Sequence, residues 1–85
     1  MNLTSLRKDF PILEKNIHYF DSACMSLKPL QVIEAMQDYY CNYPACVGRS
    51  NHDLARTTEE KIQQTREQLQ KFINATHSKE IIFTR

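Results

Sequence analysis

Glycine is nearly missing: Gly48 is the only one in 85 residues, against about 7% in ordinary soluble proteins. Without clustered glycines the chain holds no glycine-rich cradle for a phosphate, which excludes Walker and dinucleotide-binding loops within it. Tryptophan is absent too. No apolar stretch approaches the ~20 residues that a membrane-spanning helix needs. Runs of like charge are also lacking. Eleven basic and ten acidic residues interleave to a net charge of +1, so the basic footprint of a nucleic-acid binder is not there. The opening residues, Met1 to Asp9, carry neither the apolar core nor the small-residue cleavage site of a secretory signal. A cytoplasmic protein is the expectation.

Cysteine is present in an odd number, Cys24, Cys41 and Cys46, which argues against the paired bridges of a small secreted scaffold. Cys41 and Cys46, with His52 six residues on, invite a metal reading. No second cysteine pair follows to complete four ligands. Buried or reduced free thiols, and no metal site, are expected.

What is there reads mainly as helix. Thr4 is suited to cap a short first turn from Ser5 to Asp9, which Pro11 stops. Ile17-His18-Tyr19-Phe20 is β-branched and aromatic, the composition of a short strand. The small polar residues Asp21-Ser22-Ala23 follow as a tight loop. Pro29 then suits the start of a helix. Ile33, Met36, Tyr40 and Tyr43 recur at three- and four-residue steps, with Val32 and Tyr39 beside them. That spacing predicts one apolar helix face over about residues 30–43, ended by Pro44.

Residues 44–52 form a loop holding Gly48, after which Ser50 and Asp53 match a capping-box spacing. Leu54, Thr58, Ile62, Thr65, Leu69, Phe72 and Ile73 keep a 3.6-residue period, predicting a long helix to about residue 74, with Asn74 as its stop. Glu67 and Lys71 make a favourably oriented i,i+4 pair on its wet side. Glu80 to Arg85, with a continuous Ile81-Ile82-Phe83 run, reads as a strand buried on both faces, as in parallel sheets. With only Ile17–Phe20 available to pair with it, the chain is expected to be truncated. The segment is thus expected to be mostly α-helical with two short strands.

Taken in order, these segments resemble the class V aminotransferase-fold enzymes, especially the cysteine desulfurases and selenocysteine lyases. Asp9-Phe10-Pro11-Ile12-Leu13 is similar to their opening. Tyr19-Phe20-Asp21-Ser22-Ala23 resembles the Tyr-Leu-Asp-(Ser/Asn)-Ala stretch that enters their active site. Lys28-Pro29 with Val32-Ile33 resembles the start of the next helix. Gly48-Arg49-Ser50-Asn51-His52-Asp53-Leu54 is similar to a loop usually rich in His and Arg. Phe72-Ile73-Asn74-Ala75 and Glu80-Ile81-Ile82-Phe83-Thr84-Arg85 are similar to a helix end and the first strand of the large domain.

The resemblance implies an α/β parent of fold-type I that is homodimeric and dependent on pyridoxal phosphate. It implies L-cysteine as the amino-acid substrate, alanine and a persulfide as products, and a sulfur-acceptor protein as a further partner. A related aminotransferase, lyase or epimerase is the alternative on the same fold. A small helical interaction module presenting Tyr39, Tyr40 and Tyr43 is the alternative of another class. Within this chain the resemblance implies an N-terminal arm and active-site loop over about residues 1–28, and over 29–85 helices leading to the large domain.

It places no catalytic, cofactor-binding or metal residue here. The Schiff-base lysine, the acid facing the pyridine nitrogen, the stacking aromatic and the sulfur-accepting cysteine belong to later parts of such enzymes. The segment alone is therefore not expected to bind the cofactor. What it implies here is pocket lining by Asp21, Ser22, Ala23 and Cys24, with Gly48 and Arg49 near the entrance. Gly48 stands where many desulfurases have histidine, and Cys24 where they have a second alanine. Both departures bear on substrate choice.

Overall fold

Asn2, rather than Thr4, caps the first helix. Its side-chain oxygen accepts from the backbone N–H groups of Thr4 (3.0 Å) and Ser5 (3.4 Å), two of the donors a helix start leaves unpaired. That helix, α1, spans Leu3–Arg7. The computed structural model describes residues 2–85, which fall into two compact units, 2–40 and 41–85.

In the first unit Pro11 opens a 3-10 turn, Pro11–Lys15. Its fixed φ suits a first-turn position, where its missing N–H costs nothing. Asn16 closes the turn in the left-handed conformation (φ 53°), donating to the Leu13 carbonyl at 3.2 Å. The N–H of Leu30 donates to the Asp9 carbonyl at 2.7 Å and so ties the start of the next helix back to this region. That helix, α2, covers Leu30–Asn42 and stops two residues before Pro44. The Pro29 carbonyl accepts from Val32 and Ile33 at its start. The expected apolar stripe is present, yet no α2 side chain is buried. Val32, Ile33, Met36 and Tyr40 remain 42–67% exposed.

The second unit is organised by α3, Asp53–Ile73. The expected box between Ser50 and Asp53 is replaced by a histidine cap. His52 Nδ1 accepts from the Ala55 N–H at 3.3 Å, and the His52 carbonyl accepts from Arg56 N–H at 3.1 Å. Asp53 adds a negative charge at the positive end of the helix dipole and pairs with Arg56. On the wet side, Glu67 accepts from the Gln63 amide at 3.2 Å.

At the far end Asn74 takes the left-handed conformation (φ 56°). Its N–H donates to Lys71 (3.3 Å) and that of Ala75 to Gln70 (2.9 Å), the paired bonds of a Schellman motif. Among the described residues only Ala55 (3% exposed) and Thr58 (6%) are buried. The order of this unit therefore comes from helix hydrogen bonds and caps more than from a core.

The two expected strands are corrected. No strand is found among the described residues. Ile17–Phe20 and Ile81–Phe83 have strand composition, but a strand exists only through its ladder, and neither segment makes one. Instead, a 3-10 turn at Ser78–Glu80 leads into Ile81. The segment after it is held by α3: Arg66 Nε donates to the Ile81 carbonyl (3.3 Å), and the Arg66 guanidinium lies 5.1 Å from the centre of the Phe83 ring. That distance suits a cation–π contact.

Candidate functional site

The residues expected to line a pocket sit on two turns, one in each unit. Asp21-Ser22-Ala23-Cys24 forms the first. The Asp21 carbonyl accepts from Cys24 N–H at 3.1 Å and Met25 N–H at 3.0 Å, which bends the chain through about one helical turn. All four side chains point to open surface. Two hydroxyls brace the turn from outside it. Tyr19 Oη donates to the Met25 carbonyl and lies 3.5 Å from that of Asp21. Ser26 Oγ donates to the Ser22 carbonyl at 3.4 Å. Beside the turn is a cleft of about 350 Å³ lined by Arg7, Phe10, Leu13, Tyr19, Ser22 and Ser26, among others. Tyr19 opens the Tyr19-Phe20-Asp21-Ser22-Ala23 stretch quoted for the resemblance but was not among the residues expected to line the pocket; its place two residues before Asp21 was the available signal.

Gly48 and Arg49 lie on the second turn. Gly48 has φ +77°, and a Cβ built on it would meet nothing within 4 Å. Glycine is therefore favoured there by backbone conformation alone, not by crowding. Arg49 is exposed. Chemically the first turn offers a carboxylate, a hydroxyl and a thiol, and the second a cation. Each turn by itself offers polar groups that can contact a polar ligand.

Cys41, Cys46 and His52 are engaged differently from a ligand set. The three cysteines are exposed free thiols, and His52 uses Nδ1 to cap α3. Among the described residues no group of three or more His, Cys, Asp or Glu side chains is placed to hold a metal. No helix of the described residues is long and apolar enough to cross a membrane.

The comparisons with known proteins fit the order of these segments. The profile of the class-V aminotransferases matches residues 18–85, from just before Tyr19 through both turns and α3. The chain belongs to the class-V aminotransferase family. A probable cysteine desulfurase of Borreliella burgdorferi is 51% identical over 84 residues, 93% of this chain and 20% of that protein. Another, from Halalkalibacterium halodurans, is 40% identical over 90 residues, covering all of this chain and 22% of the relative. The solved apo structure of the cysteine desulfurase from Thermococcus onnurineus NA1 superposes with a TM-score of 0.80 at 40% identity, covering 95% of this chain and 20% of that one. The chain thus spans about a fifth of the length of the relatives it matches. This membership displaces the reading as a small helical interaction module.

Enzymes of this family generally depend on pyridoxal phosphate. The start of α3 is the helix end where a phosphate could dock, but it carries the acidic Asp53, and the His52 ring occupies its cap. Lys28, the lysine nearest the first turn in sequence, donates its ammonium to the Ser26 carbonyl at 2.8 Å.

Proposed function

We propose that this chain is part of a pyridoxal-phosphate-dependent cysteine desulfurase, supplying pocket wall and not the cofactor site. The whole enzyme removes sulfur from L-cysteine, leaving alanine and a persulfide on an enzyme thiol. The observation that carries this reading is identity of 40–51%, over nearly the whole chain, to proteins named as probable cysteine desulfurases. The fold likeness to a solved desulfurase supports it further.

In this reading residues 1–28 form the arm and active-site loop, and 29–85 lead into the large domain, whose sheet completes the ladder for Ile81–Phe83. Asp21, Ser22, Ala23 and Cys24 line the substrate side, with Gly48 and Arg49 at an entrance shared across a homodimer. A sulfur-acceptor protein takes the persulfide sulfur, and the enzyme works in the cytoplasm. Gly48 and Cys24, set beside the breadth of the family, favour a second reading as an aminotransferase or lyase on the same fold.

The test is the whole protein, purified with its cofactor and given L-cysteine. Stoichiometric alanine and sulfide in the presence of a reductant are the expected products. Efficient transamination of common keto acids without sulfur release would remove the desulfurase assignment and leave the second reading.

A further inference from the structure

We propose that the Tyr19 hydroxyl is a positioning group for the Asp21–Met25 turn and through it tunes how the pocket holds its amino-acid substrate. The proposal rests on the pocket reading above. Three observations carry it. Tyr19 Oη reaches both ends of the turn, donating to the Met25 carbonyl and lying 3.5 Å from that of Asp21. Asp21 is also the acceptor on which the turn closes, from Cys24 and Met25. The four turn side chains themselves are exposed, so hydrogen bonds and not packing hold the turn, and the Tyr19 tether is one of them, beside the Ser26 hydroxyl on the Ser22 carbonyl. Tyr19 itself is half-buried and lines the cleft beside Ser22 and Ser26, which gives its ring a fixed seat from which the hydroxyl can act. A tyrosine serves here because its rigid ring delivers a donor at a set distance with only two side-chain torsions to fix.

The experiment uses the whole, cofactor-loaded protein and Tyr19→Phe, which deletes the hydroxyl and keeps the ring. Hydrogen exchange of the Cys24 and Met25 amides is read by mass spectrometry alongside steady-state kinetics. Exchange at those amides is expected to quicken by roughly tenfold, since a local opening loses one of its restraints. KM for the amino-acid substrate is expected to rise by roughly three- to tenfold, with kcat within about twofold and the cofactor absorbance unchanged. Tyr19→Leu, which also empties the ring's seat, should exceed Tyr19→Phe in both readouts. Unchanged exchange in Tyr19→Phe overturns the tether. Faster exchange with unchanged KM overturns the positioning role. If the wild-type protein transaminates and releases no sulfide, the desulfurase reading fails alone, because exchange and the KM for the amino acid it does use still decide the role of Tyr19.

Discussion

Thr58 is joined to Tyr43 across fifteen residues of sequence: its hydroxyl lies 3.0 Å from the Tyr43 carbonyl oxygen and 2.9 Å from that of Leu54, one turn back on α3. One proton is shared between two acceptors, one on the helix and one at the loop that leads into it. Thr58 is among the two buried residues of the described chain, so this polar bond is largely shielded from water. Thr58→Val keeps the shape and sets a methyl against both carbonyls. It is expected to cost about 1–3 kcal/mol, visible as a lower unfolding midpoint of the whole protein. Thr58→Ser, which keeps the hydroxyl, should recover most of the loss.

Asn74 closes α3 in a left-handed conformation that glycine adopts freely and alanine does not. Asn74→Ala should destabilise by about 1 kcal/mol, whereas Asn74→Gly should be near neutral. Equal effects from the two substitutions in thermal unfolding would show that the backbone conformation is not what matters there.

His52 sets the other end of α3. His52→Ala removes the acceptor for the Ala55 N–H and should cost about 1 kcal/mol, while His52→Asp should hold or raise stability because aspartate is a strong cap. Metal chelation should move neither variant. A chelator-dependent midpoint in the wild type alone would reopen the reading of Cys41, Cys46 and His52 as ligands.

Gly48 shapes any attempt to test specificity. Gly48→His brings the residue that the resemblance to the desulfurases implies at this place, and a Cβ there meets nothing within 4 Å. The positive φ still imposes a backbone cost of roughly 1 kcal/mol. The informative comparison is therefore with Gly48→Asn, which carries a similar but smaller strain. If position 48 sets substrate choice, sulfide release relative to transamination should rise in Gly48→His and not in Gly48→Asn. Arg49→Ala, read alongside, should lower turnover by several-fold while the cofactor spectrum stays that of the wild type.

The long helix was legible because its signal is periodic and redundant: Leu54, Thr58, Ile62, Leu69 and Phe72 each repeat the same information. Its closing residue was legible too, since Asn74 is one of the few types that tolerates the left-handed turn. The caps at the starts were each read two residues off. Thr4 and Ser50 are good capping types, but Asn2 and His52 reach the free N–H groups. That outcome depends on where the first turn begins, which neighbouring residues leave open. The strands are not confirmed, for a different reason. Ile81-Ile82-Phe83 has the right side chains, yet a ladder is a property of two segments, and one segment's composition cannot supply the second. Of the candidate site, the Asp21-Ser22-Ala23 turn was visible as a pattern. The Tyr19 contact with Met25, six residues on, was not, because a side-chain-to-backbone bond leaves no periodic trace.

The closure of α3 at both ends by its own flanking residues has a consequence in time. His52 caps one end and Asn74 with Ala75 the other, so every group that fixes the limits of this helix lies within a turn of them. Nothing distant has to arrive first. Helices of this length relax in about a microsecond, whereas surfaces that must be brought together across long stretches of chain assemble far more slowly. Leu54, Leu69, Phe72 and Ile73, all still open to solvent, are thus presented early and in register. α3 acts as a ready template on which slower partners can settle, and its limits do not wait on them.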